Sequence, residues 1–507
     1  MNKYLLSLLL LLPITFVVAQ DNDENNEDEV EEVVVLGIKQ SLKDAIDIKR
    51  SNVGIVDAIT AEDFGQFPDG NLAESLARVV GVAIDRSNVE GQKVAVRGFG
   101  PEFNLVTLNG RQMPTIPGQW DGGRSFNFGD ISSHGVSAVE IYKSTNLTLP
   151  TGGIGSTINM VTTKPLSIDG KMTSMSLAGV NDTTRVNGIK NPVEFDFVTA
   201  TNNGSWGWSA SGSYQTRANR EEGTQESNWQ TTLPYEVAAG GALASEGNSY
   251  QRERRRLDNA TITGSSKRAD NAIFVPERHG YQIKDNNRTR KNFQATLQKA
   301  FGDNVEATLD YTYSEVKFQT EGTRWGSWLA GWNSTALTVA DNGAVTDITT
   351  ALVDYDHEAT WGNSRNHNNS LGLNVTWDVN DDLTMQFDMH QSTAELTGPS
   401  IDNVMTFSTG VTSSNTNNVI GHGGINKYAY SRNYSASEFA GDTATINDRD
   451  SLNDMEQIRL FGEWTNSNGM FSDALKSVEF GFSRVDQAFT DRRADKEYTI
   501  AAGSTAA

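Results

Sequence analysis

Hydrophobic and polar positions alternate with a period of two along most of the chain after residue 166, between polar turns and loops. This pattern predicts β-strands that have one apolar and one polar face. The segments predicted as strands are Met172–Val180, Glu194–Ala200, Ser205–Thr216, Phe293–Phe301, Val305–Phe318, Ser370–Val379, Leu383–Leu396, Gln457–Thr465 and Val478–Val485.

The connections between these strands are of two kinds. Phe301–Val305 and Val379–Leu383 are short turns, whereas the connections 217–291, 319–369 and 397–455 are long and polar. Short turns on one rim and long loops on the other are typical of antiparallel transmembrane β-barrels. Their strands average to near-neutral hydropathy, so the polar composition of the chain is compatible with this fold.

Before residue 166 the pattern predicts a mixed domain of short strands and helices. Residues 94–96 alternate as in a half-buried strand, and residues 105–108 form a second strand. Asn109 and Gly110 follow it and predict a tight turn, because both accept a positive φ. Asn71 is predicted to cap a helix, with Glu74 reaching back to the cap.

Two arginines and several glycines border these turns. Arg97 and Arg111 are predicted at strand ends, where a guanidinium can hold a carboxylate with two hydrogen bonds. Gly98 interrupts the first strand beside Arg97.

A Gly- and Pro-rich loop over residues 112–130 contains the first ligand candidates. Trp120 offers a ring that can stack on a sugar or aryl group, while Asp121 and Arg124 offer directed hydrogen bonds. The alternative is that Trp120 only packs the loop.

Three further tryptophans, Trp325, Trp328 and Trp332, lie close together in a predicted loop beside Arg324. An exposed aromatic cluster suits a sugar or another planar ligand. The alternative is an aromatic girdle at the membrane interface.

The composition of the chain indicates its cellular compartment and argues against one class of partner. Residues 1–19 read as a secretory signal, with Lys3 before an apolar core and Val17 and Ala19 before a plausible cleavage site. Eight of the twelve residues from 21 to 32 are Asp or Glu, which predicts a solvated tail. A net charge of −22 argues against nucleic acid as a partner. The chain has no cysteine, so no disulfide is expected.

No pattern of an active site is found in the sequence. The six histidines show no metal-binding helix spacing, and neither a Gly-x-Ser-x-Gly elbow nor a nucleophilic cysteine occurs. Gly152, Gly153 and Gly155 lack the Gly-Lys-Ser/Thr sequence of a nucleotide loop. We therefore predict no catalysis, no cofactor and no bound metal.

Four stretches taken together resemble the plug domain of TonB-dependent outer-membrane receptors. They are Phe67–Arg86 (FPDGNLAESLARVVGVAIDR), Val94–Arg111 (VAVRGFGPEFNLVTLNGR), Val136–Ser144 (VSAVEIYKS) and Leu149–Met160 (LPTGGIGSTINM). The resemblance spans residues 30–166. It implies an α+β plug domain followed by the antiparallel strands of a transmembrane β-barrel.

The resemblance also assigns roles to particular residues. The short β-branched run before the plug resembles a TonB box, which would pair with TonB as an added strand; its residues are Val33, Val34, Val35, Leu36 and Gly37. The plug residues expected to be structural are Arg97, Gly98, Asn109, Gly110, Arg111, Gly152, Gly153 and Gly155.

The expected domains are a signal peptide (1–19), an acidic tail with the box (20–40), the plug (41–166) and the N-terminal part of a barrel (167–507). About nine predicted strands fall short of the roughly 22 of a plugged barrel. The barrel is therefore expected to be incomplete and the chain to be a fragment.

The resemblance implies active uptake of a small-molecule solute through the outer membrane of a Gram-negative bacterium. TonB, its inner-membrane energising complex and outer-membrane lipid are the implied partners. An oligosaccharide is favoured as the solute, because the plug wording is similar to a carbohydrate-associated subgroup. A ferric siderophore and a truncated, non-transporting surface β-protein are the alternatives.

Overall fold

A computed structural model describes residues 41–52, 54–61, 71–87, 90–116, 123–232, 260–268, 272–329, 334–399, 403–409, 412–419, 427–430, 433, 435–467 and 474–499. Two bodies of β-structure make up this part of the chain. A small domain comes first, and a sheet of 14 strands follows it. Among the described residues, no helix has both the length and the apolar character needed to cross a membrane.

The first domain, called the plug below, contains helix α1 over residues 41–51 and helix α2 (Leu72–Leu76). Its strands are β1 (Val56–Thr60), β2 (Val82–Ser87), β3 (Glu90–Val96), β4 (Asn104–Leu108), β5 (Arg111–Gln112), β6 (Val136–Tyr142) and β7 (Ser156–Thr162). Five of them form one sheet in the order β1-β6-β7-β4-β5, in which only β4 and β7 run parallel. Strands β2 and β3 form a separate hairpin.

The plug core lies between this sheet, the hairpin and helix α2. Asn71 caps α2 as predicted, because its Oδ1 accepts a hydrogen bond from the Ala73 N–H at 2.8 Å. The capping box is wrong: Glu74 instead accepts from the Gly91 N–H and from Arg86. Each large apolar side chain buried in this core stabilises the fold by about 1.5–3 kcal/mol. These side chains include Leu72, Leu76, Val94, Val96, Val106, Leu108, Phe128, Ile131, Val139, Ile141, Ile158 and Met160.

The large sheet, called the wall below, comprises β8 (Lys171–Gly179), β9 (Val193–Asn202), β10 (Trp206–Thr232), β11 (Thr261–Gly264), β12 (Ile273–Phe301), β13 (Val305–Leu329), β14 (Ser334–Val339), β15 (Val345–Asn380), β16 (Leu383–Thr397), β17 (Asn403–Ser408), β18 (Thr412–Val419), β19 (Lys427–Tyr430), β20 (Ala440–Thr465) and β21 (Ser477–Thr499). All its pairings are antiparallel except that of β11 with β14. Within the described residues the sheet ends at β8 and β21, which do not pair with each other.

Alternation along the wall strands separates a polar face from an apolar face. On β12 the side chains of Arg290, Asn292, Gln294, Thr296 and Gln298 are buried toward the plug. The residues between them include Phe293, Leu297 and Phe301, which are exposed on the opposite face. The wall therefore presents a polar inner face to the plug and an apolar outer face to its surroundings, as transmembrane barrel strands do.

All nine strands predicted after residue 166 are present, and the two short turns lie where they were predicted. The predicted loops 217–291, 319–369 and 397–455 are partly wrong, because β10, β12, β13, β15 and β20 extend far into them. Most positions on both faces of these extensions are polar, apart from a small apolar cluster that includes Ile273 and Val275 of β12 and Val345 and Ile348 of β15. The period-two contrast therefore disappears although the ladder of backbone hydrogen bonds continues.

Candidate functional site

The turn after β4 positions one arginine against the wall. Asn109 and Gly110 have φ angles of 54° and 77°, as predicted for this turn. The Asn109 Oδ1 accepts a hydrogen bond from the Thr162 N–H at 2.9 Å, and the Gly110 N–H donates to Asn159 Oδ1 at 2.8 Å. Both contacts fasten the turn to β7, so Arg111 leaves the plug in a fixed direction.

Arg111 lies between two carboxylates of the wall. Its Nη1 is 2.7 Å from both carboxylate oxygens of Asp310, and its Nε is 2.9 Å and 3.0 Å from those of Asp388. Arg111 is only 2% exposed. Burial alone lowers the pKa of Arg111, but the two carboxylates outweigh this effect and raise it. The guanidinium therefore stays charged, and the predicted carboxylate contact of Arg111 is present twice.

Gly372 makes this close approach possible. It lies on the inner face of β15, where a Cβ atom would overlap the guanidinium of Arg111. A larger residue would therefore push the arginine away from Asp310 and Asp388.

Replacing Gly372 with alanine is expected to lower the free energy of unfolding by about 1–3 kcal/mol through overpacking. Thermal unfolding of the detergent-purified protein measures this effect. In an Arg111→Ala background the added methyl group has no guanidinium to meet, so the cost should largely vanish. Gly223→Ala is the matched control, since no heavy atom lies within 4 Å of its Cβ position. An equal cost at both glycines would contradict overpacking against Arg111 as the cause.

A second ionic contact joins the plug to β12, and here the plug supplies the carboxylate and the wall supplies the guanidinium groups. Glu90 forms salt bridges with Arg288 and with Arg290, whose Nη1 is 3.4 Å from the Glu90 Oε1. Arg290 also donates to the carbonyl oxygen of Gly129 at 3.0 Å. Asp310 lies five positions from the short-turn end of β13, whereas Arg290 lies eleven positions from that end of β12. The plug is thus held to the wall at two different heights.

Hydrogen bonds extend the attachment to β20. The Gln112 N–H donates to Gln457 Oε1 at 3.0 Å, and Asn453 Nδ2 donates to the Thr115 carbonyl at 2.7 Å. Arg459 donates to the carbonyl oxygen of Thr148. The wall therefore contacts the plug from β12 to β20, which means that it curves around the plug.

A polar cavity of about 310 Å³ lies beside Arg111, between the plug and the wall. Its lining includes Glu140, Tyr142, Lys164 and Arg459 besides the ion pair. A polar cavity of this size can hold several water molecules. Arg111, Asp310 and Asp388 themselves line this cavity, so water within it would lie next to the ion pair.

The prediction for Arg97 is wrong, whereas the structural role predicted for the glycines at 152, 153 and 155 agrees with their geometry. Arg97 does not bind a carboxylate; its Nη1 donates to the carbonyl oxygen of Lys143 at 2.8 Å. Arg97 and Gly98, with φ angles of 54° and 80°, form a tight turn that directs the side chain toward the end of β6. Gly152 has a φ of 134°, which suits glycine. Cβ atoms at Gly153 and Gly155 would overlap Ser156 and Asn104, so this segment depends on glycine.

Most of the predicted ligand residues lack a described side chain. Trp120, Asp121, Trp332 and the segment 33–37 lie outside the described residues, and Trp328 is placed only as part of β13. Arg124 is exposed and donates to the Gly152 carbonyl oxygen at 3.1 Å. Only Arg124 and Trp325 have described side chains, so the ligand site that these candidates would form stays a prediction.

Trp325 lies in strand β13 and not in a loop. It stacks on Tyr281 of β12, with ring centroids 5.8 Å apart. The alternation places Trp325 on the outer face of the wall, far beyond the apolar positions of β13. Arg324 points to the inner face, where it pairs with Glu358, and Arg278 pairs with Asp356 and Glu358 at 2.6 Å and 2.5 Å. The inner face at this height is therefore lined by charged side chains.

Sequence reasoning missed Asp310, Asp388 and Gly372, although a signal for the two aspartates was present. Asp310 stands between Leu309 and Tyr311, and Asp388 stands between Phe387 and Met389. A carboxylate between two outward apolar residues of a membrane strand must point inward, where it needs a partner. Which partner it finds depends on the plug.

A comparison with protein-family models identifies the first domain. Residues 48–157 match the family model described as TonB-dependent Receptor Plug Domain. No curated protein matches the chain.

Solved structures with similarity to the chain include two siderophore receptors PirA. The one from Acinetobacter baumannii has 10% identity and a TM-score of 0.29, over 90% of this chain and 81% of that chain. The one from Pseudomonas aeruginosa has 10% identity and a TM-score of 0.26, over 88% and 87%. The unliganded ferric citrate transporter FecA has 10% identity and a TM-score of 0.28, over 89% and 78%.

Proposed function

We propose that the chain, whose residues 48–157 match the plug domain of TonB-dependent receptors, takes up a solute across the outer membrane with energy delivered by TonB. The observation that carries this proposal is the attachment of the plug to the inner face of the wall. Arg111 with Asp310 and Asp388, and Glu90 with Arg288 and Arg290, hold it there. A solute can pass only if work breaks or bypasses these contacts.

The work is proposed to arrive through the N-terminal segment. Residues 33–37 would pair with TonB as an added strand, and the inner-membrane energising complex would pull on them. The pull would reach helix α1 and then β1. Strand β1 is an edge strand of the plug sheet, paired with β6 alone among the described strands. An edge strand is the part of a sheet that separates with the fewest broken backbone hydrogen bonds.

The solute would bind on the side of the long connections, opposite the short turns. Trp120, Asp121 and Arg124 remain our proposed ligand contacts in the plug, and Trp325, Trp328 and Trp332 remain those in the wall. The outer-face position of Trp325 weakens the aromatic argument for a sugar. Arg278, Arg324 and Glu358 point to the inner face of the wall. They are therefore better placed than Trp325 to contact a solute that enters from the side of the long connections.

The proposed solute is thus an oligosaccharide or, equally well supported, a ferric chelate. No catalytic step is proposed, because members of this family are receptors and transporters.

Accumulation of labelled solutes in cells that express the full chain tests this proposal. We expect accumulation of a maltooligosaccharide or of a ferric siderophore that stops when TonB is removed. Surface binding should persist without TonB. An iron-limited medium and a sugar-limited medium, run in parallel, separate the two solute classes. Accumulation of the solute that is equal with and without TonB would contradict the proposed uptake.

A further inference from the structure

The outer face of the wall changes from apolar to charged at one sharp boundary. On β12 the outward positions from Phe301 to Phe293 are mostly apolar, and Lys291 is the next outward residue. On β13 the apolar positions end at Tyr311 and Tyr313, and Glu315 and Lys317 follow. The apolar stretch covers about nine residues, close to the 9–11 residues with which a tilted strand crosses a membrane. The first charges therefore lie at the height of lipid headgroups.

Three cations converge on one carboxylate at this boundary. Glu315 is paired with Arg365 at 2.6 Å, with Lys291 at 3.2 Å and with Lys317 at 4.0 Å. Its side chain is 6% exposed, whereas those of Lys291, Lys317 and Arg365 are 46%, 50% and 42% exposed. One carboxylate cannot neutralise three cations. The cluster keeps an excess of two positive charges on a chain whose net charge is −22.

The side chains beside the cluster are an imidazole and a second carboxylate. His367 on β15 packs against the Tyr313 ring at 5.2 Å, and the Glu395 carboxylate on β16 is 3.7 Å from the His367 ring. Glu395 offsets part of the excess, and the cluster stays positive. Further along the sheet, the outward positions Asp454 and Glu456 of β20 are acidic. The positive patch is thus confined to β12, β13 and β15, directly above an apolar surface.

We propose that Lys291, Lys317 and Arg365 bind the phosphate group of an anionic lipid in the outer leaflet of the outer membrane. Arginine offers a planar pair of donors to phosphate oxygens, and each lysine offers up to three N–H donors. The acyl chains of the same lipid would lie on Leu297, Leu309 and Leu371 below the patch, which are all exposed. Glu315 holds the three cations together in the absence of the lipid. The height of the patch rests on the proposed membrane orientation.

Binding of diphosphoryl lipid A to the detergent-purified full chain tests this proposal by native mass spectrometry. Lys317→Gln together with Arg365→Gln is expected to reduce retention of this lipid roughly tenfold or more. Glu315→Gln should increase it, because the cations then lose their internal partner. Lys299→Gln, on the same face of β12 but at the short-turn rim, is the matched control and should change nothing.

Two further probes measure what the phosphate group and the acyl chains each contribute to binding. Dephosphorylated lipid A should be retained no better by the wild-type protein than by the double variant. Inorganic phosphate should not displace the lipid, since it cannot use the apolar surface. Equal retention of both lipids by all variants, or a loss of retention in Glu315→Gln, would overturn the proposal. Because purified protein is used, failure here would leave TonB-dependent uptake in cells unaffected.

Discussion

Replacing Arg111 with alanine is expected to weaken the attachment of the plug to the wall. The substitution leaves Asp310 and Asp388 buried, close together and without their cation. Removing one partner of a buried ion pair costs about 3–5 kcal/mol. The free energy of unfolding should fall by this amount, and cells should become sensitive to bulky antibiotics that the outer membrane normally excludes. Thermal unfolding and antibiotic susceptibility measure the two effects.

The uncharged triple variant Arg111→Met, Asp310→Asn, Asp388→Asn is the decisive control. It removes the buried charges together and should recover most of the lost stability, because well-packed uncharged groups often replace a buried ion pair without cost. Arg124→Ala removes an exposed arginine of the plug and should have little effect. An Arg111→Ala protein with unchanged unfolding and unchanged exclusion of antibiotics would show that this contact does not hold the plug.

Deleting residues 33–37 is expected to abolish uptake while surface binding of the solute persists. The deletion removes the strand proposed to pair with TonB and leaves every residue of the described plug in the sequence. Uptake should therefore fall to the level of cells without TonB, and the Kd for the solute should stay the same. Labelled-solute accumulation and binding to whole cells provide the two measurements.

A deletion of equal length within the acidic tail, residues 21–25, is the matched control. Both deletions shorten the tether by about 17 Å at roughly 3.4 Å per residue. They differ in whether the β-branched run remains, and the control deletion also removes the acidic residues Asp21, Asp23 and Glu24. Uptake should survive the control deletion. Uptake that survives the loss of residues 33–37 would contradict the proposed pairing with TonB.

Local patterns were sufficient for much of the fold. Residue propensities predicted the tight turn at Asn109 and Gly110 and the helix cap at Asn71. Alternation of apolar and polar residues predicted nine strands of the wall. Both signals depend only on residues that are close in sequence. The long extensions of β12 and β15 were missed because most positions on both of their faces are polar. The partner of Glu74 was missed because it lies on another strand, at Gly91.

The sequence by itself determined that a small α+β domain precedes strands with an apolar and a polar face, and that Arg111 lies at a strand end beside a tight turn. These features follow from backbone preferences and from the period of two. Only the tertiary structure decided that Asp310 and Asp388, about 200 and 280 residues away, meet Arg111 across Gly372. It also decided that Trp325 faces outward and that three cations surround Glu315. Such contacts depend on strand register and on the curvature of the wall around the plug, which no local pattern encodes.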